Sequence, residues 1–259
     1  MIYNTFLINE SEHCLRVTLN RPGSRNSLNG ELVEELANFL DCIWDDRQIK
    51  LIIIEGRNGF FCTGMDFEEM ASSDKNNDME ARETFSRRYM EVIKKFTLIP
   101  KVIVSKVDGQ VMAGGIGIAA ASDFVVATPG SQFSLSEALW GIIPAMVMPF
   151  LIRRVGFQAA YRMALTALPV YIEEAKKIHL VDEIGEDPDT IIKRLCSRLI
   201  RMDTETIKNI KAFFRNVWIV TNDMEDYAVN ESCKHILSEK VQQNITNFVR
   251  HKKFPWEGN

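Results

Sequence analysis

The 259-residue chain has no hydrophobic run long enough to cross a bilayer. Its most nearly continuous apolar stretch, IIPAMVMPFLI at positions 142–152, is broken by Pro144 and Pro149. It falls short of the roughly 20 residues a span requires, so it reads as core and no membrane partner is expected. Cysteine is scarce and scattered: Cys14, Cys42, Cys62, Cys196 and Cys233 form no CxxC pair and no Cys/His ligand spacing. That excludes a disulfide framework and a zinc site of the common kinds, and leaves free buried thiols. The chain also lacks a long basic run and carries a formal charge of −4, which argues against a nucleic-acid surface, because phosphate binding needs clustered Lys and Arg. Its first ten residues lack the basic start and apolar stretch of a secretion signal, and a cytoplasmic location is expected. Histidine is rare, and His13, His179, His235 and His251 have no Cys or Asp partners at useful spacing, so no metal centre is expected.

With 46% hydrophobic and 25% charged residues, the chain can bury a sizeable core and meet small molecules or proteins. Residues 3–8 and 15–19 read as two strands of a hairpin around the polar turn 9–12. Leu32, Val33, Leu36, Leu40, Ile43 and Trp44 recur at three and four residues behind a candidate Asn29 cap, the pattern of an amphipathic helix. Strand 51–54, helix 80–96, strand 102–104, a glycine turn into helix 116–121 and strand 124–127 follow, which predicts an α/β core. Beyond Gly185 the pattern is helical over 190–200, 204–217, 223–235 and 239–249. The division is therefore a core at 1–187 and a helical C-terminal region at 188–259.

Three constellations could carry chemistry. In Phe61-Cys62-Thr63-Gly64-Met65-Asp66-Phe67-Glu68-Glu69, a strand meets a glycine and then an acidic helix start. Free amides there could bind an anion or a developing oxyanion; the alternative is a capping box of Asp66 with Glu69. In the stretch 111–121, Gly114, Gly115 and Gly117 stand between a strand and an apolar helix. The spacing misses both the dinucleotide fingerprint and the phosphate-loop lysine, leaving an amide-bearing helix start or close glycine packing. Finally, Glu137 follows Ser134-Leu135-Ser136 among apolar neighbours, which would raise its pKa towards neutrality and suit proton transfer. Here too a capping box, Ser134 with Glu137, is the competing reading.

In this order and spacing the segments resemble the enoyl-CoA hydratase/isomerase (crotonase) superfamily over essentially the whole chain. Leu19-Asn20-Arg21-Pro22 with Asn26 is similar to its N-terminal signature, 61–67 to its first oxyanion segment and 113–119 to its second. The resemblance implies that a thioester carbonyl is held by two backbone NH groups, which carry over onto Met65 and Gly114. It would place Asp66, Phe67 and Glu68 beside the acyl-pantetheine, with Arg25 and Ser27 at its entrance. Typical hydratases of the family use two glutamates, and the first position here is Gly117. Glu137 matches the second, so one carboxylate would do the proton work, as in dehydratases and double-bond isomerases of the family. Three further segments, 133–137, 149–154 and Phe254-Pro255-Trp256-Glu257, are similar to the hydratase-like dehydratases of polyketide β-branching. Those enzymes remove water from a 3-hydroxy-3-methylglutaryl group on an acyl carrier protein to give 3-methylglutaconyl.

The fold so implied is a crotonase-type spiral of four ββα turns with a C-terminal helical trimerisation region, giving a homotrimer or hexamer. Phe213, Phe214, Val217 and Trp218 suit that packing. The implied activity is that of a carbon–oxygen lyase needing no metal or redox cofactor, its substrate carried on the phosphopantetheine of an acyl carrier protein or on CoA. Arg82, Arg87 and Arg88 are candidates for the distal carboxylate, Tyr89 for the pocket, and the basic stretch 250–253 for the acidic carrier. The alternatives are a Δ3,Δ2-enoyl-CoA isomerase, a general enoyl-CoA hydratase, or a non-catalytic acyl-pantetheine-binding protein in which Glu137 only caps a helix.

Overall fold

The computed structural model describes residues 3–72, 78–218 and 220–257. A hairpin comes first: β1 (Phe6–Ser11) and β2 (Cys14–Leu19) pair antiparallel, Phe6 opposite Leu19. β1 runs into the expected turn as far as Ser11 although its side chains after Phe6 are exposed, because ladder hydrogen bonds rather than burial carry it. A 3-10 turn at Pro22–Ser24 leads to α1 (Gly30–Ile43), where the Asn29 side chain accepts from the Leu32 amide at 3.0 Å and caps the helix. The three-and-four spacing buries Leu32, Val33, Leu36, Phe39 and Leu40, each contributing about 1.5–3 kcal/mol.

The chain then repeats one unit. β3 (Leu51–Glu55) and β4 (Phe60–Cys62) precede α2 (Phe67–Ser72) and α3 (Asp78–Phe96). β5 (Val102–Val107) and β6 (Gln110–Met112) precede α4 (Gly114–Ala121). β7 (Phe124–Ala127) and β8 (Gln132–Ser134) precede α5 (Glu137–Trp140). There follow α6 (Met148–Val155), α7 (Phe157–Thr166), β9 (Val170–Tyr171), α8 (Ile172–Lys177) and β10 (Glu183–Ile184). Four helices complete the chain: α9 (Pro188–Leu199), α10 (Thr204–Val217), α11 (Asn222–Ile236) and α12 (Glu239–His251).

In each of the three repeated units the first strand joins a six-stranded sheet, ordered β1-β2-β3-β5-β7-β10. The second joins a four-stranded sheet, β4-β6-β8-β9. Pairing is parallel except at β1-β2 and β8-β9. This is the α/β spiral of ββα units. The first unit differs from the other three: the short connection after Ser11 folds β2 back against β1, so both strands stay in one sheet.

β3 reads as an unbroken apolar run because both faces of the large sheet are covered. Ile52 and Ile54 face the main core, while Leu51, Ile53, Val102, Val104 and Val126 pack beneath Ile192, Leu199 and Ile207 of α9 and α10. α11 returns against α3, and α12 against α2 and α5. Phe213, Phe214 and Val217 on α10 are exposed. Trp218 leaves that face and lies against Phe150, with the ring centroids 5.4 Å apart. Among the described residues no helix is long and apolar enough to cross a membrane, and no three His, Cys, Asp or Glu side chains are grouped to hold a metal.

Candidate active site

The loop after β4 turns at Gly64, whose φ of +83° is strained for any residue with a Cβ. A Cβ there would also lie 2.6 Å from that of Ala113 and 3.3 Å from the Gly114 nitrogen. The two segments singled out in the sequence are thus in contact. Leu28 clamps Met65 from both sides: its amide donates to Gly64 O at 2.7 Å, and its carbonyl accepts from the Asp66 amide at 2.9 Å.

A buried polar network fixes this loop. Asn26 donates to Phe60 O at 2.9 Å and accepts from the Arg21 amide at 3.0 Å. Arg21 pairs with Asp66 at 2.8 Å, and the Ser27 hydroxyl donates to the same Asp66 oxygen at 2.9 Å. The other Asp66 oxygen accepts from the Glu68 and Glu69 amides and caps α2. Only half of the expected capping box forms, since the Glu69 carboxylate turns to the Gly30 amide at 3.0 Å. Burial would raise the Asp66 pKa, but the bonds from Arg21, the Glu69 amide and Ser27 outweigh it and hold the carboxyl below an ordinary aspartate. Asp66 is therefore an ionised anchor at this loop.

The second segment is positioned by packing. A Cβ on Gly115 would lie 2.4 Å from Cys62 O, and one on Gly114 2.6 Å from a Leu28 methyl, so α4 starts directly against the first segment. Close glycine packing and an amide-bearing helix start are both present here. At the other end of α4, Arg153 donates to Ala120 O at 2.7 Å and Arg154 to Ser122 O at 2.5 Å, meeting its terminal carbonyls. Among the described residues neither the Met65 nor the Gly114 amide donates to a backbone carbonyl. Gly114 is the first residue of α4, where an amide has no acceptor within the helix. Two such amides on adjacent segments can bind an oxyanion.

Glu137 opens α5. The preceding Ser136 makes no side-chain cap bond, and Ser134 ends β8 with its carbonyl on the Ala113 amide at 3.0 Å. The capping box read from Ser134 and Glu137 does not form. Glu137 Oε2 is buried without a hydrogen-bond partner among the described residues. Burial pushes the carboxyl up to about 7, only partly offset by a bond from its own amide. Such a group can take and return a proton near neutral pH.

Met65, Gly114 and Glu137 line one cavity of about 650 Å³, with Arg25, Ser27, Asp66, Phe67, Glu68 and Tyr89 also on its walls. Phe67 packs edge-on against Trp140, 4.8 Å between ring centroids, and Trp140 against Phe248 of α12 at 5.1 Å. Phe254 lines the cavity and stacks at 4.8 Å on Trp256, both beside Trp140, so the C-terminal aromatic motif backs this wall. Arg25, exposed over the Phe60 ring, and Lys252, 3.6 Å from Glu68, are the basic side chains on the described wall.

The three arginines of α3 are placed differently from expectation. Arg82 is buried and donates to Met70 O, Arg87 pairs with Glu83, and Arg88 pairs with Glu34 and Glu91. None of them lines the cavity. Helical spacing put them on one element with Tyr89, but the helix turns Tyr89 inwards and the guanidinium groups towards carbonyls and carboxylates elsewhere. Sequence reading also missed Leu28 as a clamp, and Lys252 and Trp140 as wall residues; Arg21 and Asn26 in the N-terminal signature were the signals for the network beneath Met65.

Residues 9–259 match the family model for enoyl-CoA hydratase/isomerase. The chain belongs to the enoyl-CoA hydratase/isomerase family. It is 30% identical over 255 residues to the bacillaene synthase dehydratase PksH of Bacillus subtilis (strain 168), covering 98% of this chain and 97% of that one. It is also 30% identical over 212 residues to the 2,3-dehydroadipyl-CoA hydratase of Escherichia coli (strain K12), covering 81% of each. Its fold superposes on the crystal structure of a polyketide biosynthesis enoyl-CoA hydratase (PksH) from Bacillus subtilis with a TM-score of 0.88 at 28% identity, over 98% of this chain and all of that one. On AtuE of Pseudomonas aeruginosa the TM-score is 0.78 at 31% identity, over 95% and 97% of the two chains. The protein is a hydratase-like lyase of this family.

Proposed function

We propose that this lyase removes water from a 3-hydroxy-3-methylglutaryl thioester on an acyl carrier protein, giving the 3-methylglutaconyl thioester, in polyketide β-branching. The observation that carries the reading is the buried, unpartnered carboxyl oxygen of Glu137 in a cavity shared with Met65 and Gly114. Similarity to PksH over nearly the full length supports the dehydratase direction.

The thioester oxygen sits between the Met65 and Gly114 amides, each such donor stabilising the enolate by about 3 kcal/mol. Glu137 removes the C2 proton, and the electron pair enters the enolate. Its collapse forms the C2–C3 double bond and breaks the C3–O bond, whose pair stays on oxygen. The proton held by Glu137 goes to that oxygen, so water leaves and the carboxylate is restored. One glutamate suffices when both groups leave from the same face, and a carboxyl near pH 7 suits both transfers. The acyl carrier protein is the proposed partner, the homotrimer or hexamer the proposed assembly, and the cytoplasm the proposed location.

Intact-mass spectrometry of 3-hydroxy-3-methylglutaryl carrier protein incubated with the enzyme follows the water directly. Loss of one water, faster than from the CoA thioester, is the expected result. No loss, together with conversion of a 3-enoyl thioester to its 2-enoyl isomer, would replace the dehydratase reading with the isomerase.

A further inference from the structure

A side chain at position 117 has no room. A Cβ on Gly117 would lie 2.0 Å from the Tyr89 hydroxyl oxygen and 3.2 Å from the ring carbon that bears it. That hydroxyl donates to Gly114 O at 2.6 Å, on the residue whose amide forms one half of the oxyanion site. Tyr89 is 2% exposed, yet it lines the cavity that contains Glu137. Burial and the nearby Cys62 and Glu137 keep its phenol protonated, well above an ordinary tyrosine. A phenol has one proton and two lone pairs. Here the proton is committed to Gly114 O, and acceptor capacity remains.

We propose that Tyr89 occupies the place of a second carboxylate and holds the departing 3-hydroxyl by accepting its hydrogen bond. The inference rests on the dehydratase reading above. Tyr89 neither gives nor takes a proton in it. The C2 proton moves to Glu137 and then to the leaving oxygen, which departs as water with the C3–O electron pair. Tyr89 keeps that oxygen on the Glu137 side, while its own proton fastens this holding group to the oxyanion segment. The chain thus uses a neutral acceptor where a second glutamate would need space at position 117.

The role separates two rates that Tyr89→Phe affects differently. Exchange of the C2 hydrogen with deuterated water needs Glu137 and the two amides; loss of water also needs the leaving group to be held. In Tyr89→Phe, C2 exchange should stay within about twofold of wild type while water loss falls roughly tenfold, the scale of one hydrogen bond. Equal losses in both rates would reduce Tyr89 to a support for the oxyanion segment and overturn the proposal, as would an unchanged rate of water loss. If wild-type enzyme releases no water from the 3-hydroxy-3-methylglutaryl carrier, the dehydratase reading fails separately. The same split is then sought in hydration of crotonyl-CoA, and its absence there overturns the inference as well. A stability cycle checks the shared space without reference to turnover: Gly117→Ala should lower Tm much more in the wild-type background than in Tyr89→Phe. Additive shifts would overturn the premise that the two positions compete for one volume.

Discussion

The two segments that present Met65 and Gly114 offer the same chemical group by different balances of contact. The Met65 loop packs through Met65 and Phe67 but is pinned by a polar network, in which the Arg21 amide donates to Asn26, and Arg21 and Ser27 donate to Asp66. The Gly114 turn adds two hydrogen bonds, from Ala113 to Ser134 and from Tyr89 to Gly114, to a placement set by close contacts: Gly115 against Cys62, Gly114 against Leu28, and Gly64 against Ala113. A loop can be held by charge and hydrogen bonds because its backbone is otherwise free, whereas a helix start is rigid and need only be pressed into place. Glu137 belongs to neither arm and is held in a state that costs stability.

Glu137→Gln should give the largest effect, since it removes the chemistry and leaves both arms standing. Turnover should fall at least about 10³-fold, with thioester binding retained by isothermal titration. The native carboxyl titrates at about 7, above its ordinary 4.5. Its contribution is therefore favourable below pH 4.5, and it is lost as the pH rises through 7, about 3 kcal/mol in all. The variant should show no such loss in denaturant titrations across that window. Wild-type kcat/KM should rise with pH through about 7 as the base ionises.

Breaking the polar arm comes next. Arg21→Ala leaves the buried Asp66 carboxylate without its ion pair and should cost about 3 kcal/mol, measured by urea unfolding. Because Asp66 titrates below its ordinary 3.8 in the native state, that cost is full above pH 3.8 and shrinks as the pH falls through the native value. The packed arm should behave otherwise. Gly115→Ala puts a Cβ 2.4 Å from a backbone carbonyl and should cost about 2 kcal/mol, with the same penalty at every pH and a turnover loss of about 10²-fold from a displaced Gly114. A pH-dependent penalty there would erase the distinction between the arms. Smallest of all, Ser27→Ala removes one of several bonds to Asp66 and should cost about 1 kcal/mol in the same titration.

Long elements were legible in the sequence because their periodicity persists over several turns: α1 with its Asn29 cap, α10 at 204–217 and β7 at 124–127 lie where the pattern puts them. The strands of the small sheet, two or three residues each, are too short to carry a period. At the site, the family resemblance singled out Met65, Gly114 and Glu137, and one cavity is lined by all three. Residue type and helical position did not place Arg82, Arg87 and Arg88, because an arginine on a helix face carries no sign of which acceptor it will find.

The sequence by itself determined the order of the long elements, the glycines that permit close approach, and the absence of a carboxylate at position 117. It could not decide between a helix cap and a place in the site for Asp66 and Glu137, since both follow the same spacing rule. Tertiary structure decided it by supplying partners: Asp66 finds Arg21, Ser27 and two amides and becomes an anchor. Glu137 forms no capping box and lines the cavity with one buried oxygen unpartnered among the described residues. The filling of the Gly117 space by Tyr89, 28 residues earlier in the chain, was also invisible before folding. It depends on which face α3 turns towards α4, and that orientation is fixed only when the core packs as a whole.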